Sequence, residues 1–293
     1  MAKILSGKEV AQKIYDKIAD DVENLREKSV IPKLVIFLIG NNPGAYYYSQ
    51  NIIKKAHKLG INAELIAMEK DITEEGLIAL IQKANQDSNI HGILVQLPLP
   101  SHINSIKIIM SIAPEKDIDG LHPLNAGKLM YGNAHFVPST PSAVMEILKF
   151  YNIKTDGKHV AILGRSNIVG KPLVHLLLQR NVFGNATVTI CHTHTKNLPE
   201  ITKTADILMA SIGKPRFVKA NMIKKEAAVI DVGINEVQTA DGKQILGDVD
   251  YEDAFPYVSA ITPVPGGVGL VTTATLLSHL VLSASKLKKK LNL

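Results

Sequence analysis

Gly164-Arg165-Ser166-Asn167-Ile168-Val169-Gly170-Lys171-Pro172 is the stretch whose residue types and spacing most directly suggest chemistry. An apolar run, His159 to Leu163, comes directly before it, and another, Leu173 to Leu178, directly after. Strand, glycine turn and helix in that order aim backbone N–H groups at a phosphate. The spacing is not the common GxGxxG, so the context carries the inference more than the motif does.

In such a unit the second strand usually ends in an acid when the ligand is NAD, because a carboxylate takes the ribose hydroxyls and repels a 2′-phosphate. Here the second strand ends Cys191-His192-Thr193-His194-Thr195-Lys196, with no acid. Hydroxyls, imidazoles and a lysine, together with Arg165, favour a 2′-phosphate and hence NADP. Two later strand ends, Ser211-Ile212-Gly213-Lys214-Pro215 and Asp231-Val232-Gly233-Ile234-Asn235, should line the same crevice, since ligands of open α/β sheets sit beyond the carboxyl ends of the strands. Cys191 reads as a buried strand-end residue rather than a nucleophile. No cluster of residues has metal-ligand spacing.

Three segments of the first half also look chemical. Val95-Gln96-Leu97-Pro98-Leu99-Pro100 sets an amide at a strand end before a forced turn. Lys116-Asp117-Ile118-Asp119-Gly120-Leu121-His122-Pro123 sets two acids in a glycine-containing loop, and Tyr46-Tyr47-Tyr48 opens a helix after a Gly-Asn-Asn-Pro turn. Each has a bland explanation in turn chemistry, loop solvation or core filling.

The elements that must position these groups follow from periodicity. Ser6-Gly7-Lys8-Glu9 is a capping box opening a helix to about Lys28, with Val10, Ile14, Ile18, Val22 and Leu25 on its apolar face. Strands are expected at Lys33–Ile39, Ile61–Met68 and Gly92–Leu97, with helices between them, the first stopped by Gly60. Residues 113–138 read as loop. A helix from Thr140 to about Tyr151 leads to a second alternation, with strands at His159–Leu163, Thr187–Cys191, Asp206–Ala210 and Val229–Val232. Thr262 to Gly269 reads as a loop, followed by a closing helix from about Thr272 to Lys289. The fold class is therefore α/β: two α/β domains, the second a Rossmann-type parallel sheet. The expected boundaries are 1–139 with a returning helix at 270–293, and 140–269.

The chain has 293 residues, a net charge of +6 and one cysteine. An intrachain disulfide is excluded, which suits a reducing compartment. No signal-peptide block is visible, and no apolar run approaches the roughly 18 residues of a membrane span. The expected location is cytoplasmic, with no membrane partner. The basic residues are mostly interspersed with acids, apart from Lys286, Lys288, Lys289 and Lys290, and are not interleaved with aromatics, so nucleic acid is not expected. The terminal lysines read as the solvated face of a last helix.

Taken together, GRSNIVGKP, VIDVGIN, ITPVPGGVG, VQLPLP, KDIDG and the tyrosine helix closely resemble the methylenetetrahydrofolate dehydrogenase/cyclohydrolase (FolD) family, in order and over nearly the whole chain. The resemblance implies NADP-linked oxidation of 5,10-methylenetetrahydrofolate to the methenyl form, followed in most members by hydration to 10-formyltetrahydrofolate. It implies Tyr48, Gln96 and Asp119 as catalytic and folate-binding residues. Asp119 would hold the pterin, whose ring edge offers two N–H donors to one carboxylate. It implies Gly164, Arg165, Ser166, Thr193, His194 and Ile234 around NADP, and Pro265, Gly266 and Gly267 beside the substrate. A homodimer is the family's usual state.

The chain departs from the family at Ile52, where Tyr-x-x-x-Lys is usual. Hydration needs a proton taken from water and one given to the ring nitrogen, and isoleucine does neither. The expectation is a dehydrogenase with weak or absent hydration. The alternatives are a bifunctional enzyme using Lys54 or Lys55, or a non-catalytic folate- or nucleotide-binding relative. Ser139, Ala143, Leu270-Val271 and His194 also differ from the usual residues.

Overall fold

The computed structural model describes residues 2–239 and 242–291. In chain order, the elements of the first half are β1 (Lys3–Ile4), α1 (Gly7–Arg26), β2 (Lys33–Ile39), α2 (Pro43–Lys58), β3 (Asn62–Met68) and α3 (Glu74–Gln86). Then come β4 (Gly92–Val95), α4 (Ser105–Ser111), α5 (Pro123–Met130) and α6 (Ser139–Phe150). The second half runs β5 (His159–Leu163), α7 (Gly170–Leu177), β6 (Thr187–Cys191), α8 (Leu198–Thr202), β7 (Ile207–Ala210) and β8 (Ala228–Asp231). It closes with β9 (Asn235–Thr239), β10 (Gly242–Leu246), α9 (Tyr251–Ala254), β11 (Ala260–Ile261) and α10 (Val268–Leu291).

The chain divides into two units, Lys13–Val137 with Leu276–Leu293, and Met1–Gln12 with Pro138–Thr275. The first holds a parallel sheet in the order β3-β2-β4. Strand β2 is apolar on both faces because both are covered, as parallel sheets require. Leu34 and Ile36 pack with Ile18, Val22, Leu277 and Leu280, while Val35, Phe37 and Ile39 pack with Leu77, Ile81 and Ile108. The second unit holds a parallel six-stranded sheet in the order β1-β11-β8-β7-β5-β6. Its order reverses at β5, between β6 and β7, which opens a crevice at the carboxyl ends of β5 and β7.

Four differences from the sequence reading have local causes. Residues 2–12 cluster with the six-stranded sheet, where β1 pairs with β11, rather than with the compact unit of residues 13–137. The region read as loop contains α5, which His122 caps by accepting from Leu124 N–H and which Pro123 starts with its preset φ. Helix α10 begins at Val268, four residues before the expected Thr272. Finally, Val268–Leu287 is long and apolar enough to cross a membrane by length and composition. It is largely buried, with Leu276, Leu277, Leu280 and Val281 in the core of the first unit. The side chains of Lys288, Lys289 and Lys290 lie outside the described residues.

Candidate active site

The nucleotide side forms first. Strand β5 ends at Leu163, and Gly164 turns the chain with φ +113°. A Cβ on Gly164 would lie 2.3 Å from the carbonyl oxygen of Ser211, and one on Gly170 would lie 2.1 Å from that of Gly164. Both positions therefore demand glycine. The first permits the turn and the second lets α7 start directly against it, which is the packing a phosphate-binding turn needs. Ser166 Oγ accepts from Val169 N–H at 3.1 Å and closes the loop.

A cleft of about 510 Å³ opens at this turn. Gly164, Arg165, Ser166, His192, Thr193 and Lys214 line it, and no carboxylate does among the described residues. Its lining therefore carries positive charge without an acid to oppose a phosphate, so the residues present fit the phosphates of a dinucleotide. His194 is exposed and is not part of this lining. Its backbone N–H donates to His192 Nδ1 at 3.2 Å, and the two rings meet edge-on at 6.0 Å. Ile234 is exposed on the loop after β8, with its Cδ1 3.2 Å from where a Cβ on Gly269 would stand. Cys191 is fully buried, and burial pushes its thiol pKa up, which suits a strand-end core residue.

Pro265, Gly266 and Gly267 lie in the same unit, on the loop between β11 and α10. Gly7 N–H donates to Gly266 O at 2.8 Å. A Cβ on Gly7 would fall 2.0 Å from the carbonyl oxygen of Gly267. A Cβ on Gly266 would meet only Pro263 Cγ, at 3.7 Å.

Tyr48, Gln96 and Asp119 belong to the other unit. Tyr48 is half-buried on α2 after β2 and packs against the apolar cluster under that helix. Gln96 directly follows β4, and its N–H donates to Phe37 O at 2.9 Å. Its side chain is buried, and its Nε2 has no partner in the protein. A buried amide N–H₂ left unpaired costs about 1–3 kcal/mol, so its persistence marks a place for a ligand acceptor or water.

Asp119 sits on a loop pinned from both sides. Lys116 is buried and donates to the carbonyls of Ala84, Asn85 and Asp87 at 3.0, 2.7 and 2.7 Å, closing the C-terminus of α3. Burial lowers its ammonium pKa. Asp117 accepts from Leu121 N–H, His122 N–H and Asn125 Nδ2 at 3.2, 2.8 and 2.8 Å. Burial nonetheless raises its pKa. Of the two acids read in this loop, Asp117 is thus the internal brace, and Asp119 is half-buried between Ile118 and Gly120, which turns at φ +69°.

Ile52 is fully buried among Ile18, Leu34, Ile36 and Leu94. Lys54 is exposed. Lys55 is half-buried, its Nζ 5.3 Å from the centre of the Tyr15 ring, and burial lowers its pKa. Ser139 is buried and its carbonyl accepts from Thr275 Oγ1 at 3.0 Å, while Ala143 is fully buried. The departures at these two positions are accommodated inside the core.

Sequence reasoning missed Asp248. It is fully buried and accepts from Ile212, Gly213 and Lys214 N–H and from Asn235 Nδ2. The only local cue was an acid after glycine in Leu246-Gly247-Asp248.

Comparison with known proteins places these half-sites in context. The profile described as "Tetrahydrofolate dehydrogenase/cyclohydrolase, catalytic domain" matches residues 5–119, and that of the corresponding "NAD(P)-binding domain" matches 138–288. "Bifunctional protein FolD" of Acetivibrio thermocellus is 47% identical over 290 residues and 99% of each chain. The crystal structure of the bifunctional FolD enzyme from Campylobacter jejuni superposes with a TM-score of 0.92 at 40% identity, over 98% of this chain and 99% of that one. The Trypanosoma brucei methylenetetrahydrofolate dehydrogenase-cyclohydrolase, complexed with NADP cofactor and inhibitor, gives 0.91 at 35% identity, over 97% and 98%.

Proposed function

The chain belongs to the tetrahydrofolate dehydrogenase/cyclohydrolase family, and on that premise we propose that it oxidises 5,10-methylenetetrahydrofolate with NADP and hydrates the methenyl product weakly or not at all. The observation that carries the folate half is Gln96, whose buried Nε2 lacks a protein partner. A folate heteroatom would complete it. Asp119 would accept from the N–H edge of the pterin, on the loop that Lys116 and Asp117 brace. Tyr48 would pair with Gln96 beside the one-carbon bridge.

On the nucleotide side, the Gly164 turn would take the phosphates, and Arg165, Thr193 and Lys214 would favour a 2′-phosphate. NADP bound to the trypanosomal relative supports the same choice. When bound, the nicotinamide supplies the hydride acceptor. The folate nitrogen's own lone pair expels the hydride, so the protein's task is alignment rather than acid–base catalysis.

Hydration is different, because a proton must be removed from water and another delivered to nitrogen. Ile52 does neither, and its surroundings are apolar. A second reading has Lys55 supply the protons, favoured by its burial-lowered pKa. Against it, its ammonium is seated over Tyr15.

Two absorbance assays decide. One follows NADPH formation from methylenetetrahydrofolate and the other follows loss of the methenyl chromophore. The expected result is activity in the first and little in the second. Hydration that Lys55→Met abolishes, with NADPH formation intact, selects the second reading. Inactivity in both assays refutes the enzymatic proposal. A homodimer and cytoplasmic residence go with the proposal, and sedimentation velocity and cell fractionation test them.

A further inference from the structure

Two buried carboxylates tie together loops of the nucleotide unit. Asp231, at the end of β8, is 4% exposed. Its Oδ1 accepts from Gly233 N–H at 2.9 Å and Asp248 N–H at 3.0 Å, and its Oδ2 from Val249 N–H at 2.9 Å. Its own N–H donates to Thr262 Oγ1 at 2.7 Å, at the root of the loop that carries Pro263 to Gly267. Asp248 Oδ2 accepts from Ile212 and Gly213 N–H at 2.6 and 3.0 Å, and its Oδ1 from Lys214 N–H and Asn235 Nδ2, both at 2.9 Å.

Glycine is required on both sides of the pair. A Cβ on Gly233 would lie 2.4 Å from Asp248 Cγ, and one on Gly247 would lie 1.9 Å from Asp231 Oδ2. Burying two neighbouring carboxylates is costly unless their lone pairs are filled. Here backbone N–H groups fill most of them. Those donors come from the loops after β7 and β8 and from the Gly247–Val249 segment, while Thr262 is held by the Asp231 backbone and not by its carboxylate.

The tied loops are the ones expected to meet a dinucleotide. Ile212 and Lys214 line the cleft beside Gly164, and Ile234 lies between the tied residues Gly233 and Asn235. Moreover, N–H groups of successive residues 212–214 converge on one point, which is the geometry of an anion nest. The protein fills that nest with its own carboxylate.

We propose that Asp231 and Asp248 are positioning residues for cofactor binding: the pair fixes the spacing of the β7 and β8 loops and the Gly247–Val249 segment before the dinucleotide arrives. This rests on the reading of the cleft as an NADP site. Preorganised loops lose less freedom on binding, so breaking a tie weakens the cofactor without touching it.

The test compares wild type, Asp248→Asn and Asn235→Ala. An asparagine at 248 turns an amide N–H₂ toward N–H donors, and Asn235→Ala removes, at a half-buried position, the Nδ2 bonds to Asp248 Oδ1 and to Leu246 O. Amide hydrogen exchange is read in the ligand-free protein, NADPH affinity by its fluorescence, and KM and kcat by turnover. For Asp248→Asn, exchange at Ile212, Gly213 and Lys214 should rise about tenfold or more, with a similar loss of NADPH affinity. KM for NADP should rise more than kcat falls. Asn235→Ala should shift exchange at Gly233 to Asn235, and affinity, in the same direction by less. Restored affinity in Asn235→Gln, but not Asn235→Ala, supports the tie.

If Asp248→Asn fails to fold, Asn235→Ala decides. Unchanged exchange and unchanged affinity in a folded variant overturn the proposal alone. A wild type that binds no NADPH overturns the cofactor reading, and the proposal with it.

Discussion

Asp231 should make the protein lose stability as pH rises, the reverse of most carboxylates. Burial, reinforced by the charge of Asp248, pushes its pKa from 3.8 up to about 6, against the pull of its three backbone N–H donors. Between those values the folded chain holds a proton that the unfolded chain has released. Where the native state binds more protons, stability falls with rising pH. The shift of about 2.2 pH units, at about 1.36 kcal/mol each, amounts to about 3 kcal/mol over the whole window. About 2 kcal/mol of it is lost between roughly pH 4.5 and 7.5. Asp231→Asn cannot titrate. Its lost hydrogen bonds shift stability by an amount that does not depend on pH, so the difference between wild type and variant isolates the carboxyl. Urea unfolding at several pH values, followed by far-ultraviolet dichroism, should show that difference moving by about 2 kcal/mol against the wild type across that range. A flat difference refutes the argument. A difference moving the other way would mean that the N–H donors outweigh burial and hold the pKa below 3.8.

Other expectations follow from single contacts. Ile52→Lys puts an ammonium where an isoleucine is fully buried and should lower the unfolding free energy by about 2–4 kcal/mol in urea titrations. The same variant should gain loss of the methenyl chromophore if the missing proton carrier is what limits hydration. Gly170→Ala forces a methyl to within 2.1 Å of the Gly164 carbonyl, and NADPH affinity measured by fluorescence should fall at least about tenfold. Cys191, fully buried with a raised pKa, should react with an aromatic disulfide reagent only after denaturant is added.

Much of the nucleotide half was legible because its determinants are local. The Gly164 turn announces itself through glycines that the neighbouring carbonyls leave no choice about. The β-α alternation shows in apolar runs that are buried on both faces, as in β2 and β5. Elements whose partners are distant in sequence were not legible. Two-residue strands such as β1 and β11 carry too few side chains for a pattern, and only their pairing defines them. The β9–β10 hairpin is short and partly exposed, and its Asp-Gly signal lay among polar residues. Helix α5 did carry a signal, a histidine cap before proline, but a proline three residues after a glycine in a polar stretch reads first as loop.

The same distinction separates the residues proposed to face a ligand from those that would hold them there. Tyr48, Gln96 and Asp119 stand in motifs that a resemblance picks out. What a motif cannot express is that Asp117, two residues before Asp119, is the buried brace of their loop, held by Leu121, His122 and Asn125. Nor can it express Asp248, whose donors lie 13 to 36 residues away. A carboxylate buried against backbone N–H groups has no sequence period, because the donor is the same at every residue. Its one trace is the glycine beside it, Gly233 against Asp248 and Gly247 against Asp231, where no side chain fits. Glycines that are neither turns nor phosphate contacts are therefore where positioning carboxylates of this kind should be sought in a chain of this fold.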